Sequence, residues 1–213
     1  MEGEALQQIA TGLRDQLDAK TAAREQGLAA GRACIRSCGN SIRALHRDDT
    51  ERARELMDEA ADQLAQARSA LADHADMLHA GFVHDAEKEL IEARITYALI
   101  TGSPLPWPEE TGAGPQAYLK GMAEAIGELR RHILDLMRQG DLERCEELLG
   151  AMDEIYYVLT SMDYPDGITF GLRRLTDVAR SIIERTRGDF TTSKIQANLQ
   201  RALGEHSSKL GNG

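Results

Sequence analysis

Four polar side chains recur through a stretch that is otherwise mostly apolar. At about 100° per residue, Asp85, Glu89, Glu92 and Thr96 fall on one narrow stripe of a predicted helix, at spacings i, i+4, i+7 and i+11. Beyond Leu90 their neighbours Ile91, Ala93, Ile95, Tyr97, Ala98, Leu99 and Ile100 are nearly all apolar, which predicts a largely buried helix. Carboxylates one turn apart repel, and burial disfavours their charged form. A hard divalent cation relieves both costs, because Mg2+ takes carboxylate oxygens and keeps several of its waters. A solvated acidic face is the alternative that the same spacing allows.

A second acidic pair, Glu124 and Glu128, stands one turn apart on a later predicted helix. Leu119, Met122, Ile126, Leu129, Ile133 and Met137 form its apolar stripe, and the two acids sit roughly opposite that stripe. Arg32, Arg36, Arg43 and Arg47 fall within a sector about 60° wide, apart from the apolar sector of Ile35, Cys38, Ile42 and Leu45. Guanidinium groups in line can track a phosphate backbone with bidentate geometry. An ordinary solvated face paired with Asp and Glu is again the alternative.

Other candidates carry less. Cys34 and Cys38 are one turn apart, but no second Cys or His pair completes four zinc ligands. His84 lies next to Asp85, where a structural or solvent-facing role is expected over contact with metal-bound water or phosphate. Tyr156, Tyr157 and Trp107 are read as packing groups rather than a base-stacking platform. No Gly-rich phosphate loop, Ser-His-Asp order or nucleotide fingerprint is present.

The elements that position these residues are predicted helices throughout. With 5 prolines and 4 % aromatics, the chain is rich in Ala, Leu, Arg, Glu and Gln, which lose little rotamer freedom in a helix. Periodicity predicts a helix from about Glu4 to His46, bent near Gly27, Gly31 and Gly39, and a second from the caps Asp48, Asp49 and Thr50 to about Leu78. A third runs from about Phe82 to Thr101. The stretch 102–115 holds four of the prolines and is the clear loop, read as a connection within one bundle. Helices follow over about 116–138, 142–161, 168–187 and 191–203, the last capped by Thr191 or Thr192. One domain is expected over 1–204, with a fraying tail over 205–213.

A net charge of −10 argues against coating nucleic acid through bulk charge, so any such site must be a local basic patch. No run reaches the roughly 20 apolar residues of a bilayer span. Met1-Glu2-Gly3-Glu4 lacks the basic start of a secretory leader, and three cysteines suit free thiols, so a cytoplasmic protein without membrane contact is expected.

Several stretches together resemble the translin family, which includes translin and translin-associated factor X. Ala44-Leu45-His46-Arg47 is similar to the Leu-Leu-His-Arg that closes the first helix there. Glu89-Leu90-Ile91-Glu92-Ala93 resembles the Glu-Tyr-Val-Glu-Ala of factor X. The segment from Tyr118-Leu119-Lys120-Gly121 to Glu128-Leu129-Arg130-Arg131 is close to the family's Asp-Tyr-Leu-x-Gly pattern followed by Glu-Leu-x-Arg. Leu172-Arg173-Arg174 and Ile182-Ile183-Glu184-Arg185 fit the later order, so the likeness spans nearly the whole chain.

The resemblance implies an all-α, seven-helix bundle protomer that assembles into a closed oligomeric shell, an octamer, around RNA. In the factor-X branch it implies cleavage by clustered carboxylates with Mg2+, for which Mn2+ can stand in. It carries the catalytic role onto Glu89, Glu92 and Glu124, and more weakly onto Glu128, with Glu89, Glu92 and Glu124 as metal ligands. Where that branch has Asp, this chain has Glu124, one methylene longer. The expected function is therefore a homo-oligomeric Mg2+-dependent endoribonuclease on single-stranded or short duplex RNA, with Arg32, Arg36, Arg43 and Arg47 on the RNA and single-stranded DNA as a further ligand. The alternative is a non-catalytic shell that binds single-stranded nucleic acid.

Overall fold

A tight turn at 46–49 folds the first long helix, α1 (Glu2–Leu45), back beside α2 (Thr50–Ala70). Asp49 caps α2 by accepting the Arg52 backbone N–H at 3.1 Å, and Asp48 takes a left-handed φ of 62°. The buried Ser41 hydroxyl donates to the Ala53 carbonyl at 2.7 Å, tying the two helices together. Between them pack Cys34, Cys38, Ile42 and Leu45 of α1 and Ala53, Leu56, Met57, Ala60 and Leu64 of α2, all buried.

The computed structural model describes residues 2–211. Met1, Asn212 and Gly213, which the expectations for the leader and the tail touch, lie outside them. After α2 come α3 (Ala75–Leu78), α4 (Gly81–Thr101), α5 (Pro108–Thr111), α6 (Pro115–Gln139), α7 (Leu142–Ser161), α8 (Asp166–Thr169) and α9 (Leu172–Gly211). Among the described residues there are no strands, and the all-α expectation holds. Among the described residues no helix is long and apolar enough to cross a membrane.

The residues group into two compact units: one runs to Arg94 and takes in Trp107–Tyr118, the other comprises Ile95–Pro106 and the chain from Leu119 on. Both α4 and α6 continue unbroken through these divisions. In the first unit, Val83, Ala86, Leu90, Ile91 and Ala93 of α4 are buried with the α1–α2 pair. In the second, the core is Ile126, Leu129 and Ile133 of α6, Cys145, Leu148 and Met152 of α7, and Leu172, Ala179 and Ile183 of α9. Arg130 on α6 reaches both the Thr186 hydroxyl at 3.0 Å and the Asp189 carboxylate at 2.8 Å on α9. Asp141 caps α7 through the Arg144 N–H, and the Arg144 guanidinium donates to the Leu99 and Ile100 carbonyls at the end of α4.

Three boundaries depart from the sequence expectation. The second helix stops at Ala70 rather than Leu78, because Leu71, fully buried, closes the turn with an N–H bond to the Arg68 carbonyl and fills the space over Gly27. A Cβ on Gly27 would meet Leu71 Cδ1 at 2.8 Å, so this glycine serves a close approach rather than the bend the sequence suggests. The helices expected at 168–187 and 191–203 are one continuous α9, preceded by the single turn α8 and the left-handed Phe170 (φ 49°) and Gly171 (φ 87°). The Thr191 and Thr192 hydroxyls donate to the carbonyls of Arg187 and Gly188, one turn back in the same helix, instead of capping a new one. Helix α9 runs on to Gly211 instead of ending near Leu203.

Candidate metal centre and nucleic-acid interface

Helix α4 holds its acidic stripe between buried apolar residues. Glu89 and Glu92 are half-buried, flanked by the buried Leu90, Ile91 and Ala93, while Asp85, a turn earlier, is exposed. Thr96, a turn beyond Glu92, is 0 % exposed, and its Oγ1 has no hydrogen-bond partner. On α6, Glu124 is half-buried between the buried Ala123 and Ala125. Opposite the buried leucine and isoleucine stripe of α6, Glu124 keeps partial exposure.

One carboxylate oxygen from each of Glu89, Glu92 and Glu124 lies within 4.8 Å of the others. Glu128, also half-buried, lies outside this trio and has Arg131 3.9 Å away. Lys88 Nζ stands 2.9 Å from Glu89 Oε1, with both side chains largely covered. Nothing in the periodicity points to Lys88: it is adjacent to Glu89 in sequence, and residues one apart do not face each other along a helix. Its long stem brings the ammonium round to the carboxylate.

The three carboxylates can hold a hard cation. All offer oxygen, as Mg2+ and Mn2+ prefer, and partial exposure leaves room for the waters that Mg2+ retains. The orphaned Thr96 hydroxyl adds a polar group on the same stripe, one that a metal-bound water could satisfy.

The negative field of these acids is felt on α1. The Cys38 thiol is pushed up by its hydrogen bond with Cys34, by burial, and by the charges of Cys34, Glu89 and Glu92. Burial and Asp141 push the Cys145 thiol up to about 11. Cys34, Cys38 and Cys145 are buried free cysteines. Among the described residues the one three-ligand group is the glutamate trio, which contains no cysteine.

Arg32, Arg36, Arg43 and Arg47 are all exposed along one side of α1 and the turn after it. Arg43 hydrogen-bonds the Asn40 side chain, an uncharged partner. Arg43 and Arg47 line a shallow groove with Arg52, which the sequence reading missed because it begins a different helix. Arg52 also pairs with Glu55 at 2.8 Å.

His84 has a structural place. Its Nδ1 lies 3.3 Å from Glu87, which accepts from Arg68 at 2.6 Å, and Arg68 also donates to the Gly112 carbonyl at 2.7 Å. This chain of contacts anchors the Pro-rich loop, and Glu87 and Arg68 went unnoticed in sequence because they lie on separate helices. Trp107 and Tyr157 are 69 % and 76 % exposed, which corrects their assignment as packing groups. Trp107 sits at the cap of α5, where its backbone N–H donates to Glu110, and that position turns its ring outward.

No family model matches the chain. An uncharacterised protein of Methanocaldococcus jannaschii is 29 % identical over 188 residues, covering 85 % of this chain and 83 % of that protein. The structure of AfC3PO, from Archaeoglobus, in complex with duplex RNA has a TM-score of 0.82 and 31 % identity, covering 88 % of this chain and 97 % of that one. AfC3PO alone aligns with a TM-score of 0.81 at the same identity and coverage. The apo-NeC3PO structure from Nematostella, at 18 % identity, shares the fold with a TM-score of 0.78 over 86 % of this chain and 96 % of that one. With this fold, this identity and nearly full coverage in both directions, the chain belongs to the translin family.

Proposed function

We propose that this protein binds RNA within a homo-oligomeric shell and cleaves it as an Mg2+-dependent endoribonuclease. The observation that carries the proposal is the approach of Glu89, Glu92 and Glu124 to within 4.8 Å. The capture of duplex RNA by AfC3PO, 31 % identical, supports RNA as the ligand.

Glu89, Glu92 and Glu124 would hold the cation through their carboxylates. Bound there, Mg2+ supplies a polarised phosphodiester and a water of lowered pKa. The chain's own residues do the rest. The buried Leu90, Ile91 and Ala93 hold in place the stretch of α4 that carries Glu89 and Glu92. Lys88 neutralises part of the charge on Glu89, which lets an anionic backbone approach an acidic site. Arg32, Arg36, Arg43 and Arg47 supply phosphate contacts on exposed surface.

The test is to incubate the purified protein with short RNA and Mg2+, beside a Glu89→Gln/Glu92→Gln variant. Cleavage by the parent alone is the expected result, and equal cleavage by both removes these residues from the mechanism. One contact favours a second reading, a shell that binds RNA and cuts nothing: the Lys88 ammonium already gives Glu89 a cation. That reading requires RNA to remain intact in Mg2+ and in Mn2+, with affinity unaffected by a chelator.

A further inference from the structure

Only five of the 25 Lys and Arg residues are lysines, yet the cation that stands 2.9 Å from Glu89 is one of them, Lys88. The choice matters. A guanidinium grips a carboxylate with a rigid fork, whereas an ammonium is a point charge on a flexible four-carbon stem that can turn to another anion.

Cover also sets this pair apart. The Lys20–Asp76 and Lys194–Glu146 pairs stand in solvent, each side chain at least 36 % exposed, but Lys88 and Glu89 are 17 % and 27 % exposed. Pairs in solvent are screened and contribute little. With water partly excluded, the Lys88 ammonium needs an anion at close range, and losing Glu89 is costly until it meets another.

Glu89 has two claims upon it. It is the partner of Lys88 and, in the nuclease reading on which this inference rests, a ligand of the divalent cation. A cation on Glu89 draws off the negative charge that holds Lys88 and repels the ammonium. The anion that the same site receives is an RNA phosphate.

We propose that Lys88 is a conditional phosphate contact, which stays on Glu89 without a cation and passes to an RNA phosphate once a divalent cation takes Glu89. Cation and RNA then bind cooperatively, and by linkage each raises the affinity for the other by the same factor. The arginines of α1 differ in this respect, because they are exposed and can meet phosphate with or without a cation.

The test compares the parent with Lys88→Met, which keeps the apolar stem, using short single-stranded RNA and Ca2+, a cation that also takes oxygen ligands. Fluorescence anisotropy reads RNA affinity against salt. In chelator the two proteins should show the same slope, because Lys88 is then engaged with Glu89. In Ca2+ the parent's slope should be steeper than the variant's by about one, the mark of one more phosphate contact, with affinity about fivefold higher. Circular dichroism should show the parent's helix content, and Lys88→Gln takes the place of Lys88→Met if it does not.

Mn2+ uptake without RNA, followed by electron paramagnetic resonance, separates this inference from the nuclease reading. Both proteins should bind Mn2+, the variant about fivefold more tightly because no ammonium competes. Equal Mn2+ affinities, equal slopes in Ca2+, or a shallower variant slope already in chelator overturns the role of Lys88 while the carboxylate centre stands. Absence of Mn2+ uptake by both proteins overturns the two readings together.

Discussion

Helix α4 and helix α1 each present a line of like charges, and they hold them in opposite ways. Glu89 and Glu92 of α4 are half-buried between Leu90, Ile91 and Ala93, whereas the arginines of α1 stand in solvent. Buried like charges interact strongly and are costly unless a cation meets them. Exposed ones act almost singly, through a screened field that reaches about 8 Å at physiological salt. The first arrangement suits one tight, geometrically defined ligand, and the second suits an extended polyanion held by several weak contacts.

That contrast breaks most visibly at the acids. Glu89→Gln/Glu92→Gln should lower Mg2+-dependent cleavage by about a hundredfold or more. Cleavage kept at the parent's rate would mean that the carboxylates take no part in the mechanism. Next in size, Arg36→Ala/Arg43→Ala should leave the rate at saturating RNA intact, weaken binding, and reduce the slope of log affinity against log salt by about two. An unchanged binding curve would show the α1 face to be merely solvated. Lys88→Met should come third: loss of roughly 1 kcal/mol in chelator, read as a melting temperature about 2–4 °C lower, with a larger stabilisation by added Mg2+ than the parent shows. If Mg2+ stabilises both equally, Lys88 and the cation do not share Glu89. Arg32→Ala alone is the smallest effect, a change of about one in the salt slope.

Much of this was legible beforehand because it depended on periodicity. The Asp85–Thr96 stripe, the Pro-rich loop over 102–115 and the arginine sector follow from 3.6-residue geometry and turn chemistry, and α4, α6 and α7 lie within a residue of their expected bounds. What escaped depended on tertiary contact. The stop at Ala70 is set by Leu71 meeting Gly27, 44 residues away in sequence. The merger of two expected helices into α9 follows from threonine hydroxyls choosing back-bonds over a cap. Lys88 turns toward its own neighbour Glu89, a choice of rotamer that no spacing rule records.

Thr96 shows what such a position gives up. A hydroxyl sealed from water without a partner lowers the endurance of the folded chain by about 1–3 kcal/mol, whereas an apolar group of the same shape would not. Thr96→Val should therefore melt several degrees higher than the parent. A higher melting temperature in that variant would show that this position of α4 holds an oxygen at the expense of heat resistance.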